Sequence, residues 1–225
     1  MIGKCIGAAL GKTKADVVLK NGSYVNVFTG EVERGDIAIT DGRIVGIGTY
    51  SGEREIDIGG KIAVPGLIDA HVHIESSQLS PEEYARLVVP HGTTAIIADP
   101  HEIANVCGIS GVRYIADAAR NTPLDVKVML PSCVPATPFE TSGATLSGAD
   151  TERYIGEPYV WGLGEFMNAP GVLSGDADVL RKLEAAHACG KVVDGHAPDL
   201  SGQALNAYIA AGIQTDHECA TPEEA

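Results

Sequence analysis

Basic residues are scarce in this chain. Sixteen Lys and Arg stand against thirty Asp and Glu, a formal net charge of -14 over 225 residues. Neutralising phosphates takes a basic face, so this balance argues against non-specific nucleic-acid binding. It equally disfavours docking on an anionic membrane. Long apolar runs are also missing. The stretch 5–10 is short, contains Gly7 and is followed by Lys12 and Lys14. It is too short for a signal-peptide core or a membrane span and reads as an N-terminal helix or arm. The five cysteines are odd in number, scattered, and form no C-x-x-C pair. That fits reduced thiols in a cytoplasm better than a disulfide framework, and it removes the thiolate cluster of a closed structural zinc site. Neither G-x-G-x-x-G nor a P-loop pattern occurs, so a flavin, nicotinamide or nucleotide cofactor gains no support.

What is present is the composition of a soluble globular protein, 44% apolar and 20% charged. The length suffices for one large domain or two smaller ones. Residues 15–64 read as short strands punctuated by Asn21-Gly22, Thr29-Gly30 and Asp41-Gly42, and predict a small antiparallel β domain. Together with the N-terminal arm it spans 1–64 and holds no candidate site residue. From residue 65 the pattern becomes strands alternating with helices. Strands are predicted at 67–74, 93–98, 125–130, 159–164, 191–195 and 212–215, with helices at 81–89, 109–120, 176–189 and 201–210. Such spacing suits βα units and a parallel sheet. The expected fold is α/β: a (β/α)8-type barrel over 65–225, whose active site lies at the strand C-termini.

Two helix starts carry the S/T-x-x-E pattern of a capping box, Ser80-Pro81-Glu82-Glu83 and Thr221-Pro222-Glu223-Glu224. The second is followed at once by Ala225, which predicts a barrel truncated after strand six. The segment 131–149, rich in Pro, Ser, Thr and Gly, predicts a long loop after the third strand, either a cover for substrate or a disordered excursion.

The chemistry is read from strand ends. In P-G-L-I-D-A-H-V-H (65–73) an apolar strand closes on two histidines two residues apart. Alternation along a strand turns His71 and His73 to the same side, where two imidazoles can meet one cation. Glu165 ends the fourth predicted strand, His196 the fifth and His217 the sixth. Either histidine alone reads as a satisfied polar residue, and Glu165 alone as a surface carboxylate. Together at one barrel mouth they predict two divalent ions with Glu165 bridging them. Such a pair lowers the pKa of a shared water and polarises an electrophile, which implies hydrolytic attack on an unsaturated carbon. Asp99, His101 and Glu102 follow the second strand and face the same mouth, to supply bonds behind the ligands, substrate contacts or another ligand. His91 reads as a capping or surface residue, and His187 as a packing residue of a helix.

The run P-G-L-I-D-A-H-V-H-I-E-S (65–76) resembles the amidohydrolase superfamily. A-D-P-H-E-I-A-N-V (98–106), L-P-S-C-V-P-A-T (130–137), G-L-G-E-F-M-N (162–168), D-G-H-A-P (194–198) and V-N-V-F-T-G-E (25–31) are similar to its adenine deaminase family. The resemblance implies hydrolysis of adenine to hypoxanthine and ammonia by a metal-bridged hydroxide attacking C6. It also implies a binuclear centre of manganese or iron, and a homo-oligomer when complete. Carried over, His71 and His73 hold one metal and His196 and His217 the other, with Glu165 between them. A glutamate rather than a carboxylated lysine on strand four separates the chain from dihydroorotase-like relatives. The family's proton-transferring aspartate belongs to strand eight, outside this sequence. The alternatives are another binuclear amidohydrolase acting on a cyclic amide or a different aminopurine, and an inactive fragment. The H-x-E of His73-Ile74-Glu75 is not the cytidine-deaminase signature, because no P-C-x-x-C follows.

Overall fold

The computed structural model describes residues 2–222. The chain divides into two compact units, Met1–Pro65 and Gly66–Ala225.

The first unit opens with α1 (Ile2–Ala9) and continues through seven strands: β1 (Ala15–Lys20), β2 (Ser23–Val25), β3 (Val32–Arg34), β4 (Asp36–Thr40), β5 (Arg43–Gly48), β6 (Gly52–Asp57) and β7 (Ile62–Ala63). They form one sheet in the order β5-β4-β1-β6 and another in the order β3-β2-β7. The expected antiparallel β domain needs correction, since both sheets are mixed. β1 pairs with β6 in parallel, and β2 pairs with β7 in parallel. Asn21-Gly22 is responsible: Asn21 alone takes a positive φ there, so the turn sends β1 and β2 into different sheets instead of closing a hairpin. Asp41 and Gly42 both have positive φ, at 50° and 71°, and they do close the two-residue hairpin between β4 and β5. Ala8, Ala15, Val18 and Ala38 form this unit's small core.

The second unit carries a five-stranded parallel sheet: β8 (Leu67–Val72), β9 (Thr93–Ala98), β10 (Asp125–Leu130), β11 (Val160–Phe166) and β12 (Val192–Gly195), side by side in chain order. Parallel neighbours need crossovers, which are helical. These are α2 (Pro81–Val88), α3 (His101–Cys107), α4 (Ile109–Ala119), α5 (Gly148–Tyr154), α6 (Ala169–Ser174) and α7 (Ala177–Ala188), with α8 (Gly202–Ala210) after β12. Sequential winding of this kind is the arrangement of part of a (β/α)8 barrel. Ile96, Leu130, Leu163, Phe166 and Val193 are buried on β9 to β12 and anchor the core.

The sixth predicted strand, 212–215, is not one. That segment runs beside β12 and donates a single backbone bond, Gln214 N–H to Val193 O at 3.0 Å. The return bond comes from a side chain, with Val193 N–H donating to Gln214 Oε1 at 3.3 Å. An amide side chain thus occupies the place of the carbonyl that would extend a ladder.

Ser80 caps α2 as expected, accepting from Glu83 N–H at 3.4 Å, but the Glu83 carboxylate turns to Arg86 instead of completing the box. The complete capping box belongs to Ser147 and Asp150, at the start of α5 inside the predicted loop. Glu223 and Glu224 of the second predicted box lie outside the described residues. The loop itself is pinned by a bridge between the buried Val134 and Leu146. Replacing Ser147 by Ala is expected to lower stability by about 1 kcal/mol, the usual cost of a lost N-cap. Denaturant midpoints at unchanged m-value measure it.

Candidate metal centre

Strand C-termini bring the polar residues together. His71 lies in β8 and His73 just after it, Asp99 follows β9, Ser132 follows β10, Glu165 is the penultimate residue of β11, and His196 follows β12. Pairing shifts register between Asp69 and Val72 on β8 and between Leu163 and Phe166 on β11. Bulges of this kind re-aim side chains at sheet ends, and here they flank His71 and Glu165.

Glu165 sits at the centre, 4% exposed. Its Oε1 lies 3.0 Å from His101 Nδ1 and 3.5 Å from His73 Nε2. Its Oε2 lies 2.9 Å from His196 Nδ1, 3.1 Å from His217 Nε2 and 3.9 Å from His71 Nε2. Burial opposes ionisation of this carboxyl, but His101, His73 and His196 outweigh it and hold Glu165 at about 2. Burial likewise disfavours the charged form of His101, and Asp99 with Glu165 more than reverses that, raising it to about 10.

The ring nitrogens are fixed from behind. His73 Nδ1–H donates to the Asp99 carbonyl at 2.7 Å, and His71 Nδ1–H donates to Asp194 Oδ2 at 2.9 Å. Both Nε2 lone pairs are thereby turned inward, where they face each other at 3.0 Å. A shared cation, whether a proton or a metal ion, would hold two such lone pairs together. Carboxylate or carbonyl partners behind histidines are the usual device for orienting metal ligands. Burial works against the ionised Asp194, but the His71 and Thr215 hydrogen bonds prevail and lower its carboxyl below the ordinary aspartate range.

The backbone of Glu165 is clamped on both sides. Its N–H donates to Asp99 Oδ2 at 2.8 Å, and its carbonyl accepts from Ser132 Oγ at 2.5 Å. The buried Lys182 ammonium donates to the Ser132 carbonyl at 2.9 Å. From α8, Tyr208 Oη donates to Phe166 O at 2.6 Å and accepts from His196 N–H at 3.0 Å, tying the end of β11 to the residue after β12. Replacing Tyr208 by Phe removes the hydroxyl partner of both backbone groups. A stability loss of about 1–3 kcal/mol is expected, read from urea unfolding.

The four histidines predicted to hold metal therefore surround the fifth predicted ligand, Glu165, whose carboxylate His101 also approaches and whose backbone Asp99 holds. Glu102 stands at the edge, its Oε2 3.5 Å from His73 Nδ1 and its Oε1 accepting from Ser76 Oγ at 3.1 Å. Sequence reasoning missed Asp194, Ser132, Lys182 and Tyr208. It also missed Glu218, whose Oε1 lies 3.5 Å from His196 Nδ1 and 3.7 Å from His217 Nε2. Asp194 carried a usable signal, being two residues before His196 at the end of β12. His187, expected to pack, is exposed to solvent but lays its ring against Gly212, with Nε2 3.2 Å from the Gly212 carbonyl.

Imidazole nitrogens with one bridging carboxylate suit divalent transition metals. The donor set fits in a further respect: His101 Nδ1 and His196 Nδ1 are shielded from solvent and have no hydrogen-bond partner. Residues such as His71, Glu165 and His217 offer ligand atoms within 4.8 Å of one another.

The sequence pattern of the amidohydrolase family matches residues 62–225. The chain belongs to the amidohydrolase family. It is 57% identical over 221 residues to adenine deaminase 2 of Desulfotalea psychrophila, covering 98% of this chain and 38% of that protein. With the adenine deaminase of Clostridium acetobutylicum it shares 57% identity over 219 residues, 97% of this chain and 38% of that protein. The chain thus spans well under half the length of these relatives. Among solved structures, N-acyl-D-glutamate deacylase from Bordetella bronchiseptica, complexed with zinc, superposes with a TM-score of 0.63 at 17% identity. The match covers 90% of this chain and 51% of that one, and it shows the fold alone. No helix among the described residues is long and apolar enough to cross a membrane.

Proposed function

We propose that this chain supplies the metal-binding part of an adenine deaminase, which hydrolyses adenine to hypoxanthine and ammonia. Convergence of both Glu165 oxygens on histidines from separate stretches of chain carries the reading, and identity above one half to adenine deaminases supports the substrate. In this proposal His71 and His73 hold one divalent cation, His196 and His217 hold the second, and Glu165 is shared. Manganese or iron is the proposed metal. When bound, such a pair supplies a water acidified to neutral pH and a polarised electrophilic carbon.

The chain's own residues set the stage for that chemistry. Asp194 and the Asp99 carbonyl keep the Nδ1 protons of His71 and His73 pointed outward, so both Nε2 atoms stay available without rotation. Asp99 Oδ2 and Ser132 Oγ hold the Glu165 backbone, so its carboxylate keeps Oε1 toward His73 and Oε2 toward His196 and His217. Glu165 stays ionised at neutral pH and balances positive charge at the centre. A cytoplasmic setting and self-association belong to the same proposal. The acidic surface and scattered thiols support the first, and the family resemblance the second.

The test uses the protein encoded by the full reading frame that contains these residues, loaded with manganese. Ammonia and hypoxanthine are expected from adenine, and little from a panel of cyclic amides. Turnover of a cyclic amide with none of adenine would replace this reading by that of another amidohydrolase.

A further inference from the structure

We infer that His101 is itself a metal ligand, on the side of Glu165 that His73 faces. The inference rests on the binuclear reading above and extends its ligand set. His101 opens α3, two residues beyond Asp99, and the Glu75 carboxylate holds that helix start by accepting from Ile103 N–H at 3.1 Å. The ring is thus placed by two elements that meet at the sheet end. Its Nδ1 lies 3.0 Å from Glu165 Oε1 and 3.9 Å from Asp99 Oδ1. Despite that proximity it makes no hydrogen bond and is closed to solvent.

His196 Nδ1 shows the same signature on the other oxygen, 2.9 Å from Glu165 Oε2, shielded and without a hydrogen-bond partner. Each carboxylate oxygen of Glu165 therefore has two imidazoles within 3.5 Å: His73 and His101 on Oε1, His196 and His217 on Oε2. The rings of His73 and His101 lie 4.3 Å apart between centroids, close enough to approach one ion. A substrate-binding role for Nδ1 is disfavoured, because a nitrogen shielded from solvent and aimed at the bridging carboxylate does not meet a molecule entering from outside. A nitrogen so placed, against the Glu165 carboxylate with no hydrogen bond of its own, serves a shared cation.

The experiment titrates cobalt(II) into the metal-free chain and into two variants, with circular dichroism to check folding. The wild type is expected to take two ions. His101→Gln is expected to weaken one of them by about tenfold or more, the scale on which perturbed metal shells lose affinity, and to leave the other unchanged. His101→Cys is expected to show a thiolate-to-cobalt charge-transfer band absent from the wild type, whose own five cysteines are the control. Two unweakened ions in His101→Gln, or a folded, cobalt-loaded His101→Cys without that band, would overturn the role of His101 and leave the binuclear reading standing. Failure of the wild type to bind cobalt would overturn both.

Discussion

Replacing Glu165 by Gln is expected to reduce the metal content from two ions per chain to one or none. The amide keeps the size of the side chain but removes its negative charge and one of its two acceptor oxygens. Every histidine of the centre is arranged about that charge, three approaching Oε2 and two Oε1. Without it, cations held among imidazoles lose the carboxylate whose two oxygens face those rings. The amide NH2 would also point donors at nitrogens that need to present lone pairs. Loss of affinity should exceed the 10–100-fold typical of altering an outer partner, because the residue removed is shared. Elemental analysis after gel filtration measures it, and two ions per chain in the variant would contradict the bridging role.

The second large effect is expected from Gly195→Ala. A Cβ there would lie 2.1 Å from the Thr215 carbonyl oxygen and 2.9 Å from Ile213 Cγ2. The oxygen is backbone and cannot rotate away, so the segment carrying His217 has to move off β12. That displacement breaks the paired bonds between Gln214 and Val193, and the Thr215 hydroxyl bond to Asp194 Oδ1 at 2.5 Å. Overpacking of a tight site costs about 1–3 kcal/mol, to which the lost hydrogen bonds add. A stability loss of roughly 2–4 kcal/mol is expected, with the weaker metal retention that a displaced His217 entails. Urea unfolding with and without metal measures both. A variant as stable as the wild type that keeps its ions would show that this close approach does not hold His217 in place.

How legible the chain is depends on whether a feature is local. The H-x-H of His71 and His73 is readable because a strand's period of two is a property of neighbouring residues. Glu165 and His196 are readable because each ends an apolar run of strand length. The strands at 93–98 and 125–130 fall where the sequence predicts them, bounded by Gly92 and Asp99, and by Leu124 and Pro131. The mixed sheets of the first unit are not readable in this way. Nothing near Ala15–Lys20 specifies that its parallel partner is Gly52–Asp57, and a turn such as Asn21-Gly22 looks the same whether it joins paired strands or separates them. The missing sixth strand fails for a related reason. The alternation Ile213, Gln214, Thr215 suits a ladder, and only the folded neighbour β12 reveals that Gln214 satisfies Val193 through its side chain. The clamp around Glu165 is the least legible part. Asp99, Ser132, Lys182 and Tyr208 reach it from four separate stretches of chain.

Anomalous diffraction from manganese-soaked crystals, collected on either side of the manganese edge, addresses the shared carboxylate directly. Two peaks are expected, one bonded to each oxygen of Glu165, with His71 and His73 on one and His196 and His217 on the other. A single peak, or peaks that bypass Glu165, would contradict the account.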